Sequence, residues 1–348
     1  MTRAQPTEPM TASEAKVAWA LRVEDMTVTL KTRTGTDLQV VEGVSLAVRP
    51  GEVMGLVGES GCGKSVTAQA IMGVLQGSMK IASGRIWLGE QELTALPDRK
   101  RREIRGRDIA MVFQDPMSSL NPLMTIGSQI AESLIIHQLA SRKEARSRAL
   151  ELLRLVRISS PEIRMSEYPH RLSGGMRQRV MIAIALACKP KVIIADEPTT
   201  ALDVTIQRDI LNLLRDLQQE LGLSVLMITH DFGVVKEFAD NVTVMYAGKV
   251  VERAACADLF DHPIHPYTTR LLAATPRFDR SVDGDVRKRM VEIPGIVPPL
   301  GMLPAGCNFH PRCDLKSERC LADKPLLLPV GSTHNVACFN ARGAHAVR

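Results

Sequence analysis

Aromatic side chains are scarce in this chain: two Trp, three Tyr and seven Phe make 3% of 348 residues. A core built from it must be largely aliphatic, and 45% hydrophobic residues are enough to form one or two domains. No uninterrupted apolar run approaches the roughly 18 residues that a membrane-spanning helix needs. The first twenty residues lack the basic start and apolar centre of a secretory signal, so a cytoplasmic protein is expected. Strong charge of one sign is missing too, since 44 basic and 38 acidic residues leave +6. So mild an excess describes a solvated surface. It is compatible with a cytoplasmic membrane face and gives little support to nucleic-acid binding. No fold-length internal repeat occurs, which argues against a solenoid.

What is present begins with "VGESGCGKSV" at residues 57–66. The apolar run "EVMGLV" before it reads as a buried strand, and "SVTAQAIMGVL" after it has helical spacing. Strand, glycine loop and helix form the context in which Gly58, Glu59, Ser60, Gly61, Cys62, Gly63, Lys64 and Ser65 read as a phosphate-binding loop. Glycines let several backbone N–H groups turn toward one anion, and the following helix adds the positive end of its dipole. Lys64 can then reach the outer phosphates, and the Ser65 hydroxyl can ligate Mg²⁺.

Upstream, "LRVEDMTVTL" and "VVEGVSLAV" read as strands broken by "KTRTGTD" and "RPG". After the loop and its helix come "GRIWLGEQEL" and "DIAMVFQD". Residues 118–160 then hold no clear strand, and "SRKEARSRALELLRLVRI" is helical with a basic face. A second glycine turn, "SGGMRQRVMIAIALAC", opens another helix. "KVIIADE" and "SVLMITH" are short enough to be buried parallel strands, with the helix "VTIQRDILNLLRDLQQEL" between them. Beyond residue 255 the text is irregular and rich in His, Pro and Cys.

Two of these strands end in chemistry. "VIIADE" brings Asp196 and Glu197 to the mouth of a parallel sheet, where such folds bind ligands. The aspartate suits Mg²⁺, and the glutamate suits orienting or polarising an attacking water. "LMITHD" ends similarly in His230, whose imidazole can sense a γ-phosphate. Either pattern alone is commonly just a strand end, but the ordered set is not.

The set resembles the ATP-binding subunit of an ABC transporter over roughly residues 20–255. Gly58 to Ser65 are similar to its Walker A loop and Gln114 in "VFQD" to its Q-loop. "LSGGMRQR", with Ser173, Gly174 and Gly175, is similar to the signature motif, and "VIIADE" to Walker B. Asp203 in "TALD" corresponds to the D-loop and His230 to the switch histidine. The resemblance implies an α/β P-loop NTPase core with an antiparallel β subdomain and a helical subdomain at about 118–172. A flexible N-terminus (1–19) would precede the cassette (20–255), and an irregular C-terminal extension (256–348) would follow it. It also implies a composite site, in which ATP lies between one chain's Walker loop and the partner's Ser173, Gly174 and Gly175. Asp203 would lie near that partner. Catalysis would rest on Glu197, His230 and Gln114, with Mg²⁺ held by Ser65, Gln114 and Asp196. Two departures stand out. No aromatic lies in residues 20–52, so adenine would meet aliphatic side chains near Leu30, and Met176 replaces the commoner Gln of the signature.

"DHPIHPYTTRLL" at 261–272 resembles the extension of dipeptide, oligopeptide and nickel importer ATPases. "FQDPMSSLNP", "SGGMRQRVMIA" and "ADEPTTALDVT" look like the first of the two ATPase types such importers carry. That implies a heterodimer with a second homologous ATPase, two integral membrane permeases and an extracytoplasmic solute-binding protein. The chain would then sit at the cytoplasmic face of the inner membrane and bind no nucleic acid. The rival reading is a soluble ABC-type ATPase acting on nucleic acid or ribosomes. Against it, Lys64 and Ser173 are too close for an intervening long coil, and the chain carries one cassette. His262 and His265 are expected to be structural.

Of seven cysteines, Cys62, Cys188 and Cys256 are scattered, while Cys307, Cys313, Cys320 and Cys338 fall within 32 residues. A reducing compartment disfavours four structural disulfide cysteines, so thiolate ligation of a metal is expected. Paired C-x-x-C knuckles are lacking, as the spacings are x5, x6 and x17. A 4Fe–4S cluster tolerates such spacing, with Zn²⁺ as the alternative. The importer ATPases that this extension resembles include members with such a cluster. Binding could supply folding energy to a Pro-rich tail with little apolar surface.

Overall fold

The computed structural model describes residues 18–200, 202–274, 293–331 and 334–341. Most of the expected N-terminal segment (1–17) therefore lies outside the described residues, as do 275–292 within the tail. Strands in chain order are β1 (Leu21–Lys31), β2 (Asp37–Val48), β3 (Val53–Val57), β4 (Met79–Leu88), β5 (Gln91–Glu92) and β6 (Ile109–Val112). They continue with β7 (Val192–Asp196), β8 (Ser224–Thr229), β9 (Asn241–Tyr246), β10 (Lys249–Ala255), β11 (Leu328–Val330) and β12 (His334–Val336).

Two sheets result. An antiparallel sheet has the order β2-β1-β4-β5, and a larger one runs β11-β12-β10-β9-β3-β8-β7-β6. Strands β9, β3, β8, β7 and β6 are mutually parallel, and every residue of β3, β6, β7 and β8 is buried. Burial on both faces explains their unbroken apolar runs. β1 instead buries one face, with Leu21, Val23, Met26 and Val28 inside, and it joins β2 at a shared core with the helix Lys64–Met72. The fold is thus an α/β core on a mostly parallel sheet, carrying an antiparallel β subdomain.

Residues 116–171 contain helices and turns only, among them Ile126–Ile136 and Arg142–Leu155. The second opens on a capping box between Ser141 and Glu144, which satisfies two free backbone donors at once. Ile130, Leu134, Ala149 and Leu153 pack in one core with Val180 and Ile182 of the helix Gly174–Leu186.

The tail is less irregular than its composition suggests. Helices span Cys256–Asp261, Pro266–Ala274 and Glu318–Ala322, and β12 pairs antiparallel with β10 to extend the main sheet. Strands three residues long, with Pro329 in one of them and Gly331 just after it, carry too few alternations to be read from sequence. Glu252 of β10 clips this region down. Its fully buried carboxylate accepts from the Ile264 N–H (2.8 Å), the His265 N–H (3.1 Å) and His334 Nε2 (2.7 Å). The aliphatic core also has an exception here. Tyr246, Tyr267 and Phe309 are all buried and meet at tilted or edge-on angles with centroids 4.7–5.3 Å apart, so the scarce aromatics gather where tail meets cassette. No helix among the described residues is long and apolar enough to cross a membrane.

Candidate nucleotide site

The ends of four parallel strands converge. After β3 the loop 58–63 turns into the helix Lys64–Met72. Gly58 has φ 152°, and a Cβ there would sit 2.2 Å from the Met245 carbonyl oxygen, so only glycine fits. Gly63 (φ 103°) is the helix N-cap. Lys64 is buried, and its Nζ donates to the carbonyls of Gly58 (2.8 Å) and Glu59 (3.0 Å). Ser60 and Gly61 are exposed at the loop tip. The Cys62 side chain points inward instead. It is fully buried, 3.7 Å from Lys64 Nζ, and burial outweighs that cation to push its thiol up. The Glu59 carboxylate turns away from Lys64 to pair with Arg312 of the tail.

Asp196 ends β7 and accepts from Ser65 Oγ at 3.1 Å. Burial pushes its carboxyl up, and the Glu197 charge adds to that against the Ser65 bond. Glu197 follows with φ 46°, in the left-handed region that favours glycine. Its carboxylate receives Gln114 Nε2 (2.8 Å), Thr200 Oγ1 (2.9 Å) and His230 Nδ1 (3.1 Å). Burial opposes its ionisation. Hydrogen bonds from His230 and Thr200, with the His230 and Lys64 charges, outweigh burial and hold the carboxyl below the usual range. Gln114 comes from the end of β6 and His230 from the end of β8. Thr200 is the member that sequence reasoning missed, and its position three residues past Glu197 was the available signal.

Ser173, Gly174, Gly175 and Asp203 form a second group. Ser173 is the N-cap of the helix Gly174–Leu186, its Oγ accepting from the Met176 N–H at 3.3 Å. Added Cβ atoms would lie 3.1 Å from Leu202 Cδ2 at Gly174 and 2.7 Å from Ile206 Cγ2 at Gly175. The two glycines therefore also serve close helix packing. Asp203 is exposed at the N-cap position of the helix Val204–Leu221.

In the tail, Cys307, Cys313, Cys320 and Cys338 line one small cavity with His265, His310 and Phe309. Burial raises the Cys307 and Cys313 thiols and pushes Cys338 up to about 11, with the neighbouring thiols adding to each. Among the described residues, no group of three or more His, Cys, Asp or Glu side chains is set to hold a metal ion. His265 Nδ1 accepts from the Tyr267 N–H, and burial lowers its pKa to about 4, so it is a neutral structural residue as expected. His262 is exposed at a helix end. All seven cysteines are free, and Cys62, Cys188 and Cys256 are buried.

A glycine loop that caps a helix, a Ser65–Asp196 bond and a strand-end Glu197 tied to Gln114 and His230 define an ATPase of the ATP-binding-cassette class. The chain belongs to the ABC transporter family, matching it over residues 41–200, and residues 251–320 match the oligopeptide/dipeptide transporter C-terminal region. It is 52% identical to the oligopeptide transport ATP-binding protein AppD of Bacillus subtilis, covering 87% of this chain and 91% of that one. To the dipeptide transport ATP-binding protein DppD of the same organism it is 47% identical, covering 94% and 97%. Among solved structures it resembles the dimeric post-hydrolysis state of the ATP-binding cassette MJ0796 bound to ADP and Pi. That likeness has TM-score 0.61 and 31% identity, over 68% of this chain and 98% of that one.

Proposed function

We propose that this chain is the ATP-hydrolysing subunit that powers import of peptides, or a related small solute, through an ABC transporter. The observation that carries the reading is the hydrogen-bonded set Ser65–Asp196 and Gln114–Glu197–His230 at the mouth of the parallel sheet. The oligopeptide/dipeptide C-terminal region and the two Bacillus relatives support the peptide cargo. The loop N–H groups of 58–65 and the Lys64 ammonium receive the phosphates of ATP. Ser65, Asp196 and Gln114 would hold Mg²⁺, which when bound would supply charge neutralisation at the transferring phosphoryl group. Glu197 orients and polarises the attacking water, and His230 faces the γ-phosphate. Ser173, Gly174 and Gly175 serve the ATP of a second, homologous ATPase, with Asp203 at that contact. The heterodimer works at the cytoplasmic face of the membrane on two permeases fed by a solute-binding protein. Co-expression with candidate permeases and the second ATPase tests this. Complex formation with solute-stimulated ATP turnover is expected. A chain that ignores the permeases yet binds nucleic acid tightly would overturn the reading.

The four tail cysteines are proposed to hold a 4Fe–4S cluster, with Zn²⁺ as the alternative. Their convergence on one cavity supports the assignment. Burial and the neighbouring thiols raise Cys307, Cys313 and Cys338, and a bound cation would favour their thiolates. The group would supply tail-folding energy. Oxygen-free purification with iron, sulfide and zinc analysis tests it: a metal-free, folded tail would refute ligation, and one zinc without sulfide would refute the cluster.

A further inference from the structure

Among the described residues, the hydrogen bonds from the tail to the phosphate loop go to Glu59, which is held by both main chain and side chain. The Glu59 N–H donates to Tyr267 Oη at 2.8 Å. Its carboxylate takes a two-pronged guanidinium, with Arg312 Nη1 to Oε2 at 2.7 Å and Nη2 to Oε1 at 3.0 Å. Arg312 is 253 residues away in sequence, and its side chain is only 5% exposed. It is fixed in turn, since its Nε donates to the Pro294 carbonyl (2.9 Å) and its Nη2 to the Ile293 carbonyl (3.3 Å). Its guanidinium also lies over the Tyr246 ring, 5.8 Å from the centroid. Tyr267 is wedged against Tyr246 and Phe309. Donor and acceptor are thus both pre-set by packing.

Glu59 is also a Lys64 contact, because its carbonyl accepts from Nζ. A glycine-bearing loop loses much conformational freedom when it closes around an anion. A clamp from outside the loop reduces that loss before any ligand arrives. Resting on the nucleotide-site reading above, we propose that Arg312 and Tyr267 are positioning residues for ATP. They hold Glu59 so that the loop keeps its phosphate-receiving shape, and nucleotide affinity thereby depends on the C-terminal extension.

The test is the dissociation constant of Mg·ADP for the full-length chain by calorimetry, with thermal melting recorded on each variant. Arg312→Met, Glu59→Gln and Tyr267→Phe should each weaken ADP binding about three- to thirtyfold. Arg312→Lys, which keeps charge but loses the fork, should fall between wild type and Arg312→Met. Arg312→Met with Glu59→Gln should be no weaker than the worse single variant, since one pair is broken either way. Should Arg312→Met fail to fold, the milder Glu59→Gln and Tyr267→Phe decide. Lowered melting temperatures with wild-type ADP affinity in the folded variants would overturn the proposal, as would fully additive effects of Arg312 and Glu59. Lys64→Ala is the control. If it too leaves ADP binding unchanged, the site reading has failed rather than the clamp.

Discussion

Replacing Glu197 by glutamine separates binding from chemistry. One carboxylate oxygen accepts from both Gln114 and Thr200, and the other faces His230 Nδ1. An amide can keep its oxygen toward Gln114 and Thr200 and turn its NH2 toward His230. The imidazole then needs only to present Nδ1 as the acceptor of its neutral tautomer. The hydrogen-bonded shape therefore survives, while the group able to draw a proton from water is gone. Positioned general bases contribute about 10²- to 10⁴-fold, or about 3–5 kcal/mol of barrier at 1.36 kcal/mol per tenfold. The phosphate-side residues Lys64 and Ser65 are untouched, so nucleotide affinity should change by less than about threefold, within RT-scale energies. The assay is single-turnover hydrolysis in the assembled transporter beside equilibrium nucleotide binding. Wild-type turnover would remove Glu197 from the base role, and affinity lost in step with turnover would show that it acts in binding instead.

Further outcomes follow from other geometry. Gly58→Ala would drive a Cβ into the Met245 carbonyl at 2.2 Å, so nucleotide binding should collapse with a stability loss of about 1–3 kcal/mol. Gly61→Ala, which meets nothing within 4 Å, should cost only about 1–2 kcal/mol of left-handed strain, and equal binding defects would refute the contrast. The Glu197 carboxyl should titrate below the ordinary 4.5, so its bonds stabilise the fold above that pH and are lost as pH falls through the lower folded value. Carbon-13 NMR of the carboxyl checks this, and His230→Ala should move the midpoint upward. Glu252→Ala leaves three donors facing a buried void, two backbone N–H groups and His334. A loss of about 3–5 kcal/mol and protease sensitivity confined to the tail are expected, and an unchanged melt would refute its clip role.

Asp196, Glu197 and His230 were legible because each stands at the end of an apolar run, whereas Gln114 was reached only through the resemblance of "VFQD" to a Q-loop. β3, β7 and β8 are buried on both faces, so they appear as apolar runs; β3 stops at the glycine loop, β7 at Asp196 and β8 just before His230. The helix Val204–Leu221 was equally plain, because Ile210, Leu213, Leu214 and Leu217 repeat at helical spacing on its buried face. Even the missed Thr200 belongs to a motif already singled out. A backbone bond from the Thr200 N–H to the Glu197 carbonyl (3.2 Å) closes the turn that brings its hydroxyl to the Glu197 carboxylate, and the left-handed backbone at Glu197 is not marked by a glycine.

The tail was opaque for a different reason. Its order rests on contacts between residues far apart in sequence, and the residues involved are ones that composition assigns to the surface. Glu252, Arg312 and His334 are types expected in water, yet all three are buried, and each is made tolerable by a partner 82 to 253 positions away. A charged residue carries no local mark of a distant counter-charge. The same holds for Glu59, which reads as a variable position of a phosphate loop and is in fact the point where the loop meets the tail. Sequence spacing identifies groups that share a strand end or a helix face. Groups brought together only by the packing of two modules have to be found in three dimensions. That is where a chain can link a common ATPase core to an extension of its own without altering the core's motifs.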